Sequence, residues 1–228
     1  MAFPSTPILD NFNRADGALG ANWTAPPQAT DSTPEIFSNV VTGVGSLNNS
    51  AYWNAATFGA TEAFLTIPTS VVGGARFSPY ARIQNPNSAT VFAAYIAEFR
   101  MDLSTIDVFR IYNNTYSSTL GQISSAVSAG NKVGTKVTTV GPSIRIETWI
   151  DAGAGWVQKQ SIYDVGAVAS YPLLANDGYI GFRLYGGGLT DTTRSIDDFG
   201  GGYSTGDLLG IDLTRFPKTS MRKTVQPR

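Results

Sequence analysis

Apolar and polar residues alternate with a period of two along most of this chain, and five segments carry the pattern clearly. They are TVFAAYIAEFRM (90–101), IDVFRIY (106–112), SIRIETWID (143–151), WVQKQSIYD (156–164) and GYIGFRLYG (178–186). Each is rich in β-branched or aromatic residues, and a period of two sends successive side chains to opposite faces of a strand. In SIRIETWID the alternation predicts a core face of Ile144, Ile146 and Ile150 with Thr148 among them. Arg145, Glu147, Trp149 and Asp151 fall on a wet face. Turn signals separate the segments: NN at 113–114, AGN at 129–131, VGP at 140–142, DAGAG at 151–155, ANDG at 175–178 and GGG at 186–188. Residues 164–172 read as a short helix or a loop. Short strands joined by Gly- and Asn-rich turns predict an all-β antiparallel sandwich over residues 1–202, followed by an extended C-terminal arm, 203–228.

Composition narrows the chemistry. The chain has 228 residues, 42% hydrophobic and only 14% charged, so it has ample material for one core. It contains neither cysteine nor histidine, which removes disulfides, thiolate metal sites, the usual imidazole ligand and base, and every Ser-His or Cys-His nucleophile. Carboxylates are left as the plausible catalytic groups. MAFPSTPILD lacks the basic flank and apolar run of a signal peptide, and no window reaches membrane-spanning length. The expectation is a protein made in a host cytoplasm without membrane insertion.

Charge is divided unevenly. All 17 acidic residues precede position 215, so the body carries −6, while Arg215, Lys218, Arg222, Lys223 and Arg228 give the tail +5. With Phe216 as its single aromatic and two prolines, such a tail seldom orders alone. It is expected to grip a neighbour, most economically another subunit of a homo-oligomer. An acidic body and a tail without interleaved aromatics argue against a nucleic-acid partner.

The densest motif is DNFNRADGALGANWT, residues 10–24. Phe12 and Leu19 are apolar anchors around a turn that needs Gly17 at positive φ; Gly20 admits close approach, and Trp23 caps the core. This motif, with IRIETW in the middle and GYIGFRLYGGG then SIDDFGGG near the end, resembles the concanavalin A-like lectin/glucanase (laminin-G-like) jelly-roll domain. The similarity is to the version in tailed-phage virion and minor tail proteins, and it spans roughly residues 8–202. It implies that the first and last strands pair in one sheet, bringing Phe12 near Phe199. It also implies a non-enzymatic virion structural protein, a capsid decoration or tail-associated component, assembled with other virion proteins.

If the termini pair, Asp10, Asp16, Asp197 and Asp198 become neighbours and a weak candidate set for Ca²⁺, although no contiguous cation loop is present; no other cofactor is expected. Glu98 with Asp102 and Glu147 with Asp151 are the carboxylate pairs a glycosidase would need, but the Glu-x-Asp-x-Glu signature of the family's glucanases is absent. Solvent exposure beside Arg100 and Arg145 is their expected fate. The alternative function is a carbohydrate-binding adhesin for a host-surface glycan. Its candidates are Trp149, on the polar side of its strand, and Arg183 with Tyr185, which share a face in GYIGFRLYG.

Overall fold

A computed structural model describes residues 2–25, 31–45, 48–71, 74–86, 88, 90–166, 172–186 and 194–204. Along these residues run β1 (Ile8–Asp10), β2 (Gly17–Ala18), β3 (Trp23–Thr24), β4 (Asp31–Ser32), β5 (Glu35–Phe37) and β6 (Val40–Thr42). Next come β7 (Asn48–Phe58), β8 (Thr61–Thr66), β9 (Ala75–Gln84), β10 (Ala93–Arg100), β11 (Thr105–Tyr112) and β12 (Thr115–Tyr116). The last are β13 (Gly121–Ser124), β14 (Lys132–Val140), β15 (Ser143–Asp151), β16 (Trp156–Asp164), β17 (Gly178–Gly186) and β18 (Ser195–Tyr203).

These strands form two nine-stranded sheets. The first has the order β16-β15-β14-β8-β18-β6-β5-β2, with β1 beside β18. The second has the order β12-β11-β10-β9-β17-β7-β3, with β13 also on β11 and β4 on β7. Neighbours pair antiparallel except β4 with β7, so the molecule is the antiparallel sandwich that alternation predicts. β11 begins one residue earlier than the pattern, and β15, β16 and β17 match their segments at both ends. β10 is shorter than 90–101, because the Ser88 hydroxyl accepts from the Thr90 and Val91 amides and holds the approach in a turn. The C-terminal arm from residue 205, part of the 164–172 segment and part of the GGG run lie outside the described residues.

The core lies between the sheets. Ile144, Ile146 and Ile150 of β15 meet Phe77, Phe99, Val108, Phe182 and Leu184 from the second sheet in one apolar cluster. The clasp expected of the opening motif is present: β1 pairs β18 with Asp10 opposite Phe199. The Trp23 ring sits 5.8 Å from Phe12, 5.1 Å from Phe182 and 5.0 Å from Phe199. Gly17 (φ 137°) and Gly20 (φ 98°) take the conformations that favour glycine.

The core is also stapled by arginine. Arg110 of β11 and Tyr95 of β10 both donate to Asp164 at the end of β16, at 2.6 and 2.9 Å, inside the sandwich. Arg82, at a β9 bulge with φ 52°, donates to the Gly59 and Leu174 carbonyls and the Thr139 hydroxyl.

Candidate functional site

The outer face of the second sheet gathers Arg183, Glu98, Asp102 and Arg100, four of the charged side chains that the sequence singles out. On β17, Ile180, Phe182 and Leu184 enter the core, which turns Tyr179, Arg183 and Tyr185 outward. Outward on β9 come Arg76, Ser78 and Tyr80, and on β10 Glu98 and Arg100. Arg183 lies 3.7 Å from Glu98 and 3.5 Å from Asp31, and donates to the Tyr116 hydroxyl at 2.5 Å. Arg76 stands 4.5 Å over the Tyr185 ring and bonds Asp102 at 2.9 Å; Arg183 is 5.8 Å from that same ring. Arg100 then joins Asp102 to Asp107, at 3.1 and 3.2 Å, and Gln122 donates to Asp107. A second apolar cluster, with Tyr52, Tyr80, Ile83, Phe92 and Ile96, fills the rest of this face.

The carboxylates here are pushed in opposite directions. Burial raises the pKa of Glu98 above its ordinary value, outweighing the pull of Arg183, Arg76 and Arg100. Burial acts the same way on Asp102, but Arg100 and Arg76 outweigh it and hold that carboxyl below its ordinary value. The Tyr116 phenol is pushed up to about 12, chiefly by burial. Of the four carboxylates proposed as pairs, Glu98 and Glu147 are buried, contrary to expectation, and Asp102 is exposed. Glu98 is covered because three guanidiniums converge on its side of the sheet. Asp151 is half-buried and accepts the Gly153 and Gly155 amides of the β15–β16 turn, a structural task.

Trp149 does not belong to this face. It stands on the outer side of the first sheet, so the three glycan candidates divide between opposite sides of the sandwich. Its expected wet face is covered by residues 2–6, a strap ahead of β1 that sequence reading passes over. The Phe3 ring lies parallel to Trp149, centroids 5.0 Å apart and 7° between planes. It meets Phe64 and Trp156 edge-on, at 6.4 and 4.9 Å. Behind it, the Ser5 amide and hydroxyl and the Thr6 hydroxyl donate to the buried Glu62 carboxylate. An open pocket of about 150 Å³ adjoins the strap, lined by Ala2, Phe3, Lys136, Arg145, Glu147, Trp149 and Gln158. An apolar N-terminal residue followed by Ser-Thr, with a glycine in a central strand, is the signal that could have found this arrangement.

The calcium candidates do not converge. Asp10 is spent on Arg14 (2.7 and 3.0 Å), the Trp23 indole N–H (2.8 Å) and the Phe12 amide (2.9 Å). Asp16 accepts the Ser38 amide, and Asp197 accepts the Asp198 amide at a β18 bulge. Among the described residues no group of three or more acidic side chains is placed to hold a metal ion. The first and last strands do pair as expected, but backbone, indole and arginine donors take up Asp10, Asp16 and Asp197.

No family model matches the chain, and no curated protein matches it in sequence. Solved structures do match its shape. The carbohydrate-binding module CBM66 of Bacillus subtilis superposes with a TM-score of 0.54 at 12% identity, over 80% of this chain and 94% of that one. The β-glucanase of Bacillus licheniformis gives 0.52 at 12% identity, over 84% and 95%. A Bacillus subtilis protein of unknown function with a galectin-like fold gives 0.52 at 10% identity, over 82% and 94%. The chain has the concanavalin A-like jelly-roll fold. At these identities the likeness is one of fold alone.

Proposed function

We propose that this concanavalin A-like domain is a carbohydrate-binding module without hydrolytic activity, and that its ligand meets the outer face of the second sheet. The observation that carries this reading is the chain Arg183–Tyr185–Arg76–Asp102–Arg100, partly open to solvent along one sheet face. Guanidinium forks beside carboxylates, already fixed by one another, offer paired donors and acceptors that vicinal sugar hydroxyls bridge, and a half-exposed tyrosine supplies an amphipathic ring. Shape agrees, since a carbohydrate-binding module and a glucanase share the fold.

Hydrolysis is the second reading. Glu98, with its raised pKa beside a depressed Asp102, is the kind of pair that divides acid from base roles. Glu98 is nevertheless wedged between Arg183 and Arg76, which favours a structural and binding role. A glycan array on the full chain, with reducing-end assays on the saccharides that bind, separates the two. Binding that falls at least tenfold in Tyr185→Ala and Arg76→Ala, with no new reducing ends, is the expected result. No saccharide bound on any array would defeat the proposal; product release that vanishes in Glu98→Gln would replace it with a hydrolase.

The motif resemblance supports a phage particle as the setting, with the module displayed and residues 215–228 anchoring it to other virion proteins. A chain truncated after Thr214 should fold yet fail to join particles. Unchanged incorporation would remove the anchor from the proposal.

A further inference from the structure

We propose that the aromatic cradle on the first sheet is a second binding site, for one pyranose unit, and that the chain's own Phe3 plugs it. This site lies on the opposite side of the sandwich from the arginine–tyrosine face and does not depend on that assignment.

The cradle is built for a ring. Trp149 forms a flat wall, Phe64 and Trp156 close two sides, and the floor is Gly134: a Cβ there would lie 2.4 Å from the Phe3 ring. Gly200 makes room in the same way for the Phe64 ring. Glycine weakens a strand interior, and it commonly marks a place where something approaches the backbone closely. Here two of them hollow the outer surface of a sheet, beyond the core.

Two observations point past Phe3 to a different occupant. First, the Trp149 indole N–H is buried without an acceptor. A phenylalanine ring cannot supply one, whereas a sugar hydroxyl that reaches past the edge of the indole, into its plane, can. Second, the pocket continuing from Phe3 is polar at its rim, with Lys136, Arg145, Glu147 and Gln158. Lys136 and Arg145 are already paired with Glu62 and Glu147, and the hydroxyls of a pyranose stacked on the indole would add to these charged pairs as further donors and acceptors. At about 150 Å³ the pocket is ring-sized, comparable with cavities that take a single benzene.

The plug is held in a displaceable way. Its polar anchors are the Ser5 and Thr6 contacts to Glu62. The burial of one phenyl ring is smaller than the cost of ordering residues 2–6, so the strap depends on its contacts to Glu62 to stay in place. Withdrawal would uncover Trp149, Trp156 and the Gly134 floor together.

The test is a hexose and uronate oligosaccharide array, with tryptophan fluorescence titration of the hits. It is run on the full chain, on Phe3→Ala, and on the double variant S5A/T6A, which loosens the strap and leaves the cradle intact. Both variants should bind a pyranose-terminated saccharide at least tenfold more tightly than the unaltered chain. The gain should disappear when Trp149→Ala is added and persist when Tyr185→Ala is added. That last arm separates this site from the one on the second sheet. The proposal is overturned if folded S5A/T6A and Phe3→Ala give the same array as the unaltered chain, or if the uncovered cradle takes phenol or a phenylalanine peptide but no saccharide.

Discussion

Asp10 shows how a short motif becomes a fixed point. Its two carboxylate oxygens receive both Arg14 nitrogens, the Trp23 indole and the Phe12 amide, so one side chain ties the turn, its cation and the aromatic cap together. Arg14 reaches on to the Leu19 carbonyl and closes the loop from its other side. Burial by itself would raise the pKa of Asp10; the Arg14, Trp23 and Phe12 donors outweigh it and hold the value below the ordinary 3.8. The folded state therefore binds this proton less readily than the unfolded chain. Stability from the ionised group is fully present above 3.8 and is lost as pH falls through the lower folded value. Asp10→Asn keeps the shape and removes the charge. It should cost about 1.5–3 kcal/mol at neutral pH, the range for hydrogen bonds to a charged group. Urea unfolding of both proteins from pH 7 downward checks this, and the difference must shrink at the acid end. A difference that does not change with pH would mean that the carboxylate's charge is not what holds the clasp.

At the scale of elements, legibility tracked how cleanly each strand divides between a wet and a dry face. β15 and β17 alternate without interruption, and their ends match the pattern. β9 reads ARFSPYARIQ, with a proline at 79 and arginines at 76 and 82, yet it lies between β10 and β17 near the middle of its sheet. Proline argues against a central strand and arginine against a buried one. Both rules yield here to tertiary partners: Arg82 is satisfied by two carbonyls and a hydroxyl, and its positive φ marks the bulge that turns it inward. β7, NNSAYWNAATF, is obscured in another way, by polar residues such as Asn49 and Ser50 that are buried. The candidate site was legible in part. Arg183 and Tyr185 share a face because they are two apart on one strand, whereas Arg76, Glu98, Asp102 and Tyr116 reach them only through sheet order, which alternation does not encode. The Phe3 strap was hidden for a similar reason, since its partners on β8, β14, β15 and β16 are more than fifty residues away in sequence.

For the molecule as a whole, the two sheets are joined by apolar packing and, within it, by a fully enclosed ion pair among the described residues. Arg110 and Asp164 are almost completely buried, 2.6 Å apart, on strands that belong to different sheets, and the Tyr95 hydroxyl donates to the same carboxylate. Such a pair gains little over an apolar replacement, because both ions have left water, but removing one partner strands the other charge in a medium that cannot solvate it. Asp164→Ala should therefore cost about 3–5 kcal/mol. The double replacement Arg110→Met with Asp164→Leu, which removes both charges and restores volume, should cost distinctly less than the single change. Chemical denaturation of the two variants beside the unaltered protein measures both. β16 is an edge strand of the first sheet, so the single variant should also lose amide protection there first, with β14 and β8 following only at global unfolding. A single variant no less stable than the double would show that the sheets are held by the apolar cluster alone. Position 164 would then be a tolerant end of an edge strand, not the point where one sheet is fastened to the other.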